Sequence, residues 1–256
     1  MKKHLLVCLL ISLLLGQVHA YSQPQSLAKR KVLVLTERGG LHEGFVAAAL
    51  PWLDSFAQKH NLEIKVINHP GEVDNELLSD YSLFIQLNYP PYNWTHKTRT
   101  AFEKYIDEGQ GSWIGFHHAT LLGEFDGFPM WNWFSEFMGG IRFKNYIAKK
   151  ATATVKTEAA THPVMKDLPN QFVIPDDEWY TFDRNPRVNV SVLAHVDENS
   201  YQPTSDIKMG DHPVIWSNEK KKAKNVYFLM GHSAGLLNVE AFTKMVGNAI
   251  LWGLEK

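Results

Sequence analysis

Two adjacent histidines, His117 and His118, end the apolar run SWIGF (112–116). Another histidine follows each of two similar runs: His42 in RGGLHEG (38–44) after KVLVL (31–35), and His232 in GHSAG (231–235) after NVYFLM (225–230). An imidazole can carry a proton near neutral pH or ligate a metal, so these positions form a candidate acid–base or metal-binding set. Glu43, beside His42, and Asn88 and Tyr89, after SLFIQL (82–87), occupy the same kind of position. A further segment, PDDEWYTF (175–182), sets Asp176, Asp177 and Glu178 against Trp179, Tyr180 and Phe182. Carboxylates accept from sugar hydroxyls while aromatic faces cover sugar C–H surfaces; the same composition also suits a solvated acidic turn whose aromatics face the core. DGFPMWNWFSEFMGG (126–140) offers Trp131, Trp133, Phe134 and Phe137 as a pocket wall or as core, and core packing is the better reading.

GHSAG has the Gly-x-Ser-x-Gly form of a serine-hydrolase elbow, placed after an apolar run and before a helix. That mechanism needs an acid and a histidine later in the chain, and no histidine or aspartate follows Ser233. The pattern therefore argues against a Ser233 nucleophile and leaves His232 as the side chain of interest. A divalent metal could be held by a selection of His42, His117, His118, His232 and Glu178, but no HExxH or comparable spacing fixes a ligand set. Neither GFHHA nor RGGLHEG has the glycine spacing of a nucleotide-binding loop, so no NAD or ATP is expected.

The elements that must position these groups read as alternating strand and helix. KVLVL, EIKVI (63–67), SLFIQL, SWIGF and NVYFLM are apolar strands. Between them, Phe45, Ala49, Trp52, Leu53 and Phe56 recur at helical spacing over residues 43–60. A second helix is predicted from about Thr95, its N-cap, to Glu108, with Ala101, Phe102, Tyr105 and Ile106 as its buried stripe and Gly109 as its stop. The pattern predicts an α/β fold with a mainly parallel sheet covered on both faces. From Ile141 to Ser217 it turns β-rich, as an inserted antiparallel edge, before a last helix over about 239–252. In such a sheet ligands collect at the carboxyl ends of the strands, where the histidines fall.

The first twenty residues, MKKHLLVCLLISLLLGQVHA, read as a secretory signal peptide, and residues 21–256 as one domain. The single cysteine, Cys8, lies in this leader, so disulfide and thiol chemistry are excluded from the mature protein. Loss of Lys2 and Lys3 takes the formal charge from −1 to −3, and no basic stripe suits a nucleic acid. No later segment approaches the roughly 20 apolar residues of a membrane span. The expected product is exported, and periplasmic if the source is Gram-negative.

Taken in order, KVLVLTERGGLHEG, GQGSWIGFHHAT, THPVMKDLP, DDEWYTF and HPVIWSNEKKKAKNVYFLMGHS resemble the trehalose-utilisation (ThuA-like) family across nearly the whole mature chain. The resemblance implies a class I glutamine amidotransferase-like fold, a flavodoxin-like three-layer α/β sandwich. Where the amidotransferases carry a Gly-x-Cys-x-Gly elbow, this chain places Gly115, His117 and Ala119, so glutamine hydrolysis through a thioester is excluded. His42, His117, Glu178 and His232 match positions that recur in the family, whereas His118 departs from a usually small residue. Family members are linked with catabolism of trehalose and related disaccharides through 3-keto sugars supplied by companion oxidoreductases.

These observations lead to an expected enzyme acting on a disaccharide or 3-keto-glycoside, hydrolase or lyase in type. Its catalytic residues are His117, His232 and Glu178, and its substrate-binding residues His42, Glu43, Asn88, His118, Asp177, Tyr180 and Trp131. The alternative is a non-catalytic sugar-binding protein of the same fold.

Overall fold

A computed structural model of the chain describes residues 29–255 apart from Leu41 and Ala148; the expected leader, with Cys8, lies outside them. Strand β1 (Arg30–Thr36), helix α1 (Glu43–His60), β2 (Leu62–Ile67) and the short α2 (Asn75–Ser79) come first. They are followed by β3 (Leu83–Leu87), α3 (His96–Glu108), β4 (Ser112–Phe116) and α4 (Asn132–Phe137). Next come β5 (Phe143–Tyr146), β6 (Ala151–Thr157), β7 (Gln171–Asp177), β8 (Tyr180–Phe182), β9 (Ser191–Gln202) and β10 (Pro213–Ser217). The chain closes with β11 (Asn225–Phe228) and α5 (Glu240–Leu254).

Nine strands form one sheet in the order β2-β1-β3-β4-β11-β10-β9-β6-β7. The first five are parallel, with Val34 opposite both Val66 and Ile85, and Ile114 opposite Ile85 and Val226. From β11 onward every pairing is antiparallel, so the β-rich insertion extends the parallel sheet by four strands. NEKKKAK (218–224) is the turn of the β10–β11 hairpin. Beyond the expected edge, β5 and β8 form a separate two-stranded ribbon in which Tyr146 faces Tyr180.

Residue type explains which strands are central. Every residue of β3, β4 and β11 is buried, as continuous apolar runs covered on both faces must be. Strand β2, at the edge, buries only its ends and leaves Val66 exposed. Alternation then separates two helical layers. Phe116 packs against Phe45 of α1 and Phe242 of α5, while Trp113 and Phe84 face Phe102 of α3. Helix α3 is bounded as its sequence demands: the Thr95 hydroxyl accepts from the Thr98 N–H at 3.2 Å, and Gly109 takes the left-handed conformation (φ 70°) that a side chain would resist. None of the helices among the described residues is long and apolar enough to cross a membrane.

Candidate functional site

The carboxyl ends of the parallel strands supply the site. After β1 come Glu37 and, through the Gly39–Gly40 loop, His42 at the start of α1; after β3 comes Asn88; after β4, His117 and His118; after β11, Gly231 and His232. Asp177, Glu178 and Tyr180 arrive from the break between β7 and β8. His42 is central. Its ring centroid is 3.9 Å from that of His118, 4.4 Å from His232 and 5.0 Å from His117.

Backbone conformation aims these side chains. His117 holds φ 39° in the first residue after β4, a left-handed conformation that costs energy for any residue with a Cβ and turns its ring back over the sheet. Its carbonyl accepts from the Tyr227 hydroxyl at 2.9 Å, and its Nδ1 lies 2.8 Å from the Leu229 carbonyl, which fixes the proton on Nδ1 and leaves Nε2 as the free acceptor. That Nε2 lies 3.2 Å from Glu178 Oε2. His118 repeats the arrangement, with Nδ1 3.1 Å from the Asn88 carbonyl and 2.9 Å from Glu37 Oε2. Asn88 also takes a positive φ (57°), and its amide donates to the Gly231 carbonyl at 2.5 Å. A Cβ on Gly231 would lie 2.8 Å from Asn88 Oδ1 and 2.9 Å from His117 Cβ, so only glycine lets the β11 end approach this closely.

Burial dominates the electrostatics. His117, fully buried, is held well below the usual imidazole range by desolvation and by the neighbouring His118. His42 is pushed down to about 2 by burial and then by the other three histidines. Burial lowers His232 as well, against the opposing pull of Glu178. Glu178 is raised, again by burial first, with His232 and His118 working the other way. Burial thus disfavours the charged forms of His42, His117 and His232 and makes the ionisation of Glu178 costly.

Most of the expected residues converge. His42, His117, His118, His232 and Glu178 form one cluster, Asn88 braces it, and Tyr180 stacks on His117 at 4.1 Å between centroids. Three other residues have different surroundings. Asp177 is completely buried beneath the site, its carboxylate accepting from the backbone N–H groups of Glu178 (2.8 Å), His232 (3.0 Å) and Gly231 (3.2 Å). Burial pushes its carboxyl up to about 7 against those three donors. Trp131 donates to Glu103 at 2.7 Å and packs among Trp94, Phe102, Trp133 and Phe134 in the α3 layer. Glu43 is exposed on the first turn of α1. Ser233 has ordinary extended backbone (φ −99°, ψ 132°), so the strained turn of an elbow sits at His117 instead.

Glu37 is the site residue that sequence reasoning missed. It follows β1 directly, and the rule that singled out His42 five residues later applies to it equally. Two sets of side chains have the spacing to hold a cation: His42, His117 and His118, and His42, Glu178 and His232, the ligand atoms of each lying within 4.8 Å of one another.

The parallel order β2-β1-β3-β4-β11, with a strained turn after β4, defines a class I glutamine amidotransferase-like α/β protein in which an imidazole stands at the elbow. Within that class, the family model for trehalose utilisation (ThuA) matches residues 31–253, and the chain belongs to that family. A solved ThuA-like protein from Bacteroides uniformis is 28% identical, with a TM-score of 0.79 over 91% of this chain and 96% of its own. A second, from Parabacteroides merdae, shares 15% identity and the fold, with a TM-score of 0.61 over 89% of this chain and 90% of its own. A search of curated proteins found no match.

Proposed function

We propose that this protein is an exported enzyme of carbohydrate catabolism that acts on a disaccharide or its 3-keto derivative by acid–base chemistry. The observation that carries this reading is the convergence of four imidazoles and Glu178 from separate strand ends, with nitrogens still free: His42 Nε2 and His232 Nδ1 are buried and have no hydrogen-bond partner. The family's link to trehalose utilisation supports the substrate class. An aromatic wall leading out from the cluster supports it too, since Tyr180 continues through Phe143 (4.9 Å), Phe125 (6.2 Å) and Tyr92 (5.2 Å), and such faces suit sugar C–H surfaces.

A carbonyl at C3 of a sugar acidifies the neighbouring C2–H. Glu178 takes that proton, the electron pair forms the C1–C2 double bond, and the C1–O glycosidic bond breaks with its electrons on the departing oxygen. His232, in its protonated form opposite the Glu178 carboxylate, delivers a proton to that oxygen and is left neutral. His117, its Nδ1–H held by Leu229, presents the lone pair of Nε2 to Glu178 and accepts a hydrogen bond from that carboxyl once it has taken the proton. No covalent nucleophile is required. The leader in residues 1–20 would place the reaction outside the cytoplasm, in the periplasm of a Gram-negative source, with 3-keto sugars arriving from companion oxidoreductases.

The test is an NMR time course of the mature protein with 3-keto-trehalose and with trehalose, beside His117→Ala. Consumption of the keto sugar by the wild type alone supports the reading. Persistence of both sugars, with signals broadened by binding, would replace it with a non-catalytic sugar-binding role.

A further inference from the structure

Among the described residues, the buried side-chain nitrogen and oxygen atoms without a hydrogen-bond partner include three at this one site, His42 Nε2, Asn88 Oδ1 and His232 Nδ1, and a fourth atom there, Glu37 Oε2, meets only His118 Nδ1 at 2.9 Å, which also faces the Asn88 carbonyl. An orphaned buried polar atom costs about 1–3 kcal/mol, so their concentration at one point needs a physical reason. All four residues can present lone pairs there, and the surrounding backbone contributes mainly acceptors, the carbonyls of Asn88 and Leu229. Such a site is short of positive charge. The imidazoles cannot all supply it, because four protonated rings with centroids as close as 3.9–5.9 Å would repel one another.

We propose that His42, His117 and His118 bind one divalent first-row transition cation, of the zinc class, through their Nε2 atoms, leaving its open side to Glu178 and His232. This deepens the enzymatic reading above and rests on the same site; the cation would stand between His117 Nε2 and the Glu178 carboxyl, which without it lie 3.2 Å apart. His117 and His118 each direct Nδ1 to a backbone carbonyl, Leu229 at 2.8 Å and Asn88 at 3.1 Å. An imidazole so anchored has its tautomer and ring orientation set for ligation through Nε2. His42 contributes the unpartnered Nε2, with its Nδ1 turned towards Glu37 at 3.8 Å. Three neutral nitrogens without thiolate suit zinc, cobalt or nickel, and three protein ligands with a free position match a cation that polarises a bound oxygen. The alternative set, His42 with Glu178 and His232, would instead remove both proton-transferring groups from the chemistry. In the preferred arrangement His118 becomes a ligand, which explains a histidine where the family resemblance leads one to expect a small residue.

The test uses the folded mature protein with the metal alone. After dialysis against a chelator, the protein is titrated with Zn²⁺ and with Co²⁺, reading stoichiometry by elemental analysis and the Co²⁺ visible spectrum. One equivalent per chain is expected, with affinity reduced about 100-fold or more in His42→Ala and in His118→Gln and largely retained in His232→Ala. If circular dichroism shows that His42→Ala is unfolded, His118→Gln decides. Two outcomes overturn the proposal: a wild type that retains no stoichiometric metal, or loss of binding in His232→Ala while His118→Gln keeps it. Because no sugar is present, stoichiometric metal with no turnover of keto sugar would overturn the reaction and leave the metal site standing, and the converse holds equally.

Discussion

Nε2 of His117 lies 3.2 Å from Oε2 of Glu178, across 61 positions of sequence. One residue stands in the strained turn after β4, and the other in the break between β7 and β8. The parallel sheet thus supplies an imidazole with one nitrogen already fixed, and the antiparallel extension supplies the carboxyl that faces the other. Neither half of the sheet holds the pair alone.

Glu178→Gln keeps the size and planarity of the side chain and removes its capacity to accept a proton. On the proposed mechanism kcat for a 3-keto-disaccharide falls about 10²–10⁴-fold while KM changes little, because positioned acid–base groups contribute on that scale. Circular dichroism should match the wild type. A Gln variant that retains full kcat would remove Glu178 from the proton path and leave it a binding residue.

Asp177 acts from below. Its fully buried carboxylate gathers three N–H groups, two of them on Gly231 and His232, and so ties the end of β7 to the loop after β11. Asp177→Ala would leave those donors buried without partners, at a cost of at least about 2 kcal/mol in urea unfolding. It should also lower activity, since His232 loses its anchor. Asp177→Asn, which retains one acceptor oxygen, should fall between Ala and wild type in both measurements; equal stability of all three proteins would remove the anchoring role.

The sequence was most readable where periodicity and burial agree. SWIGF is β4 residue for residue, and the 43–60 periodicity is α1. Placing histidines at strand ends was enough to bring His42, His117, His118 and His232 together, because the fold topology does the rest. What periodicity could not show was direction. PDDEWYTF divides at Glu178, with Asp177 and Trp179 fully buried, and of its three carboxyls it is the partially exposed one of Glu178 that reaches His117, beside the stacked ring of Tyr180. Trp131 illustrates the same limit, since an aromatic cluster reads alike as a pocket wall or as core. Its place among Trp94, Phe102 and Phe134 predicts that Trp131→Ala costs about 3–5 kcal/mol of stability and leaves sugar affinity unchanged. Titration calorimetry beside chemical denaturation checks this, and a weakened affinity at unaltered stability would return Trp131 to the site.

Far from the histidines, Arg187 bridges two carboxylates that close the antiparallel extension: Nη1 lies 2.6 Å from Glu158, after β6, and Nη2 lies 2.6 Å from Asp211, before β10. His195 Nδ1 meets the other Glu158 oxygen at 2.6 Å. The Arg187 hydrogen bonds hold both carboxyls below their ordinary range, with burial opposing. A carboxyl that binds its proton less readily in the folded chain than in the unfolded one contributes stability above its unfolded pKa, and that contribution is lost as pH falls through the folded value. Unfolding free energy attributable to this corner should therefore be constant above about pH 5 and decline below about pH 4. Arg187→Gln should flatten that decline while costing no more than about 1 kcal/mol at neutral pH, because the groups are partly exposed and their attraction is screened. Raising the salt to 1 M should weaken the acid slope of the wild type towards that of the variant. Urea unfolding at several pH values measures all three quantities, and parallel slopes for wild type and Arg187→Gln would show that the acid sensitivity arises elsewhere.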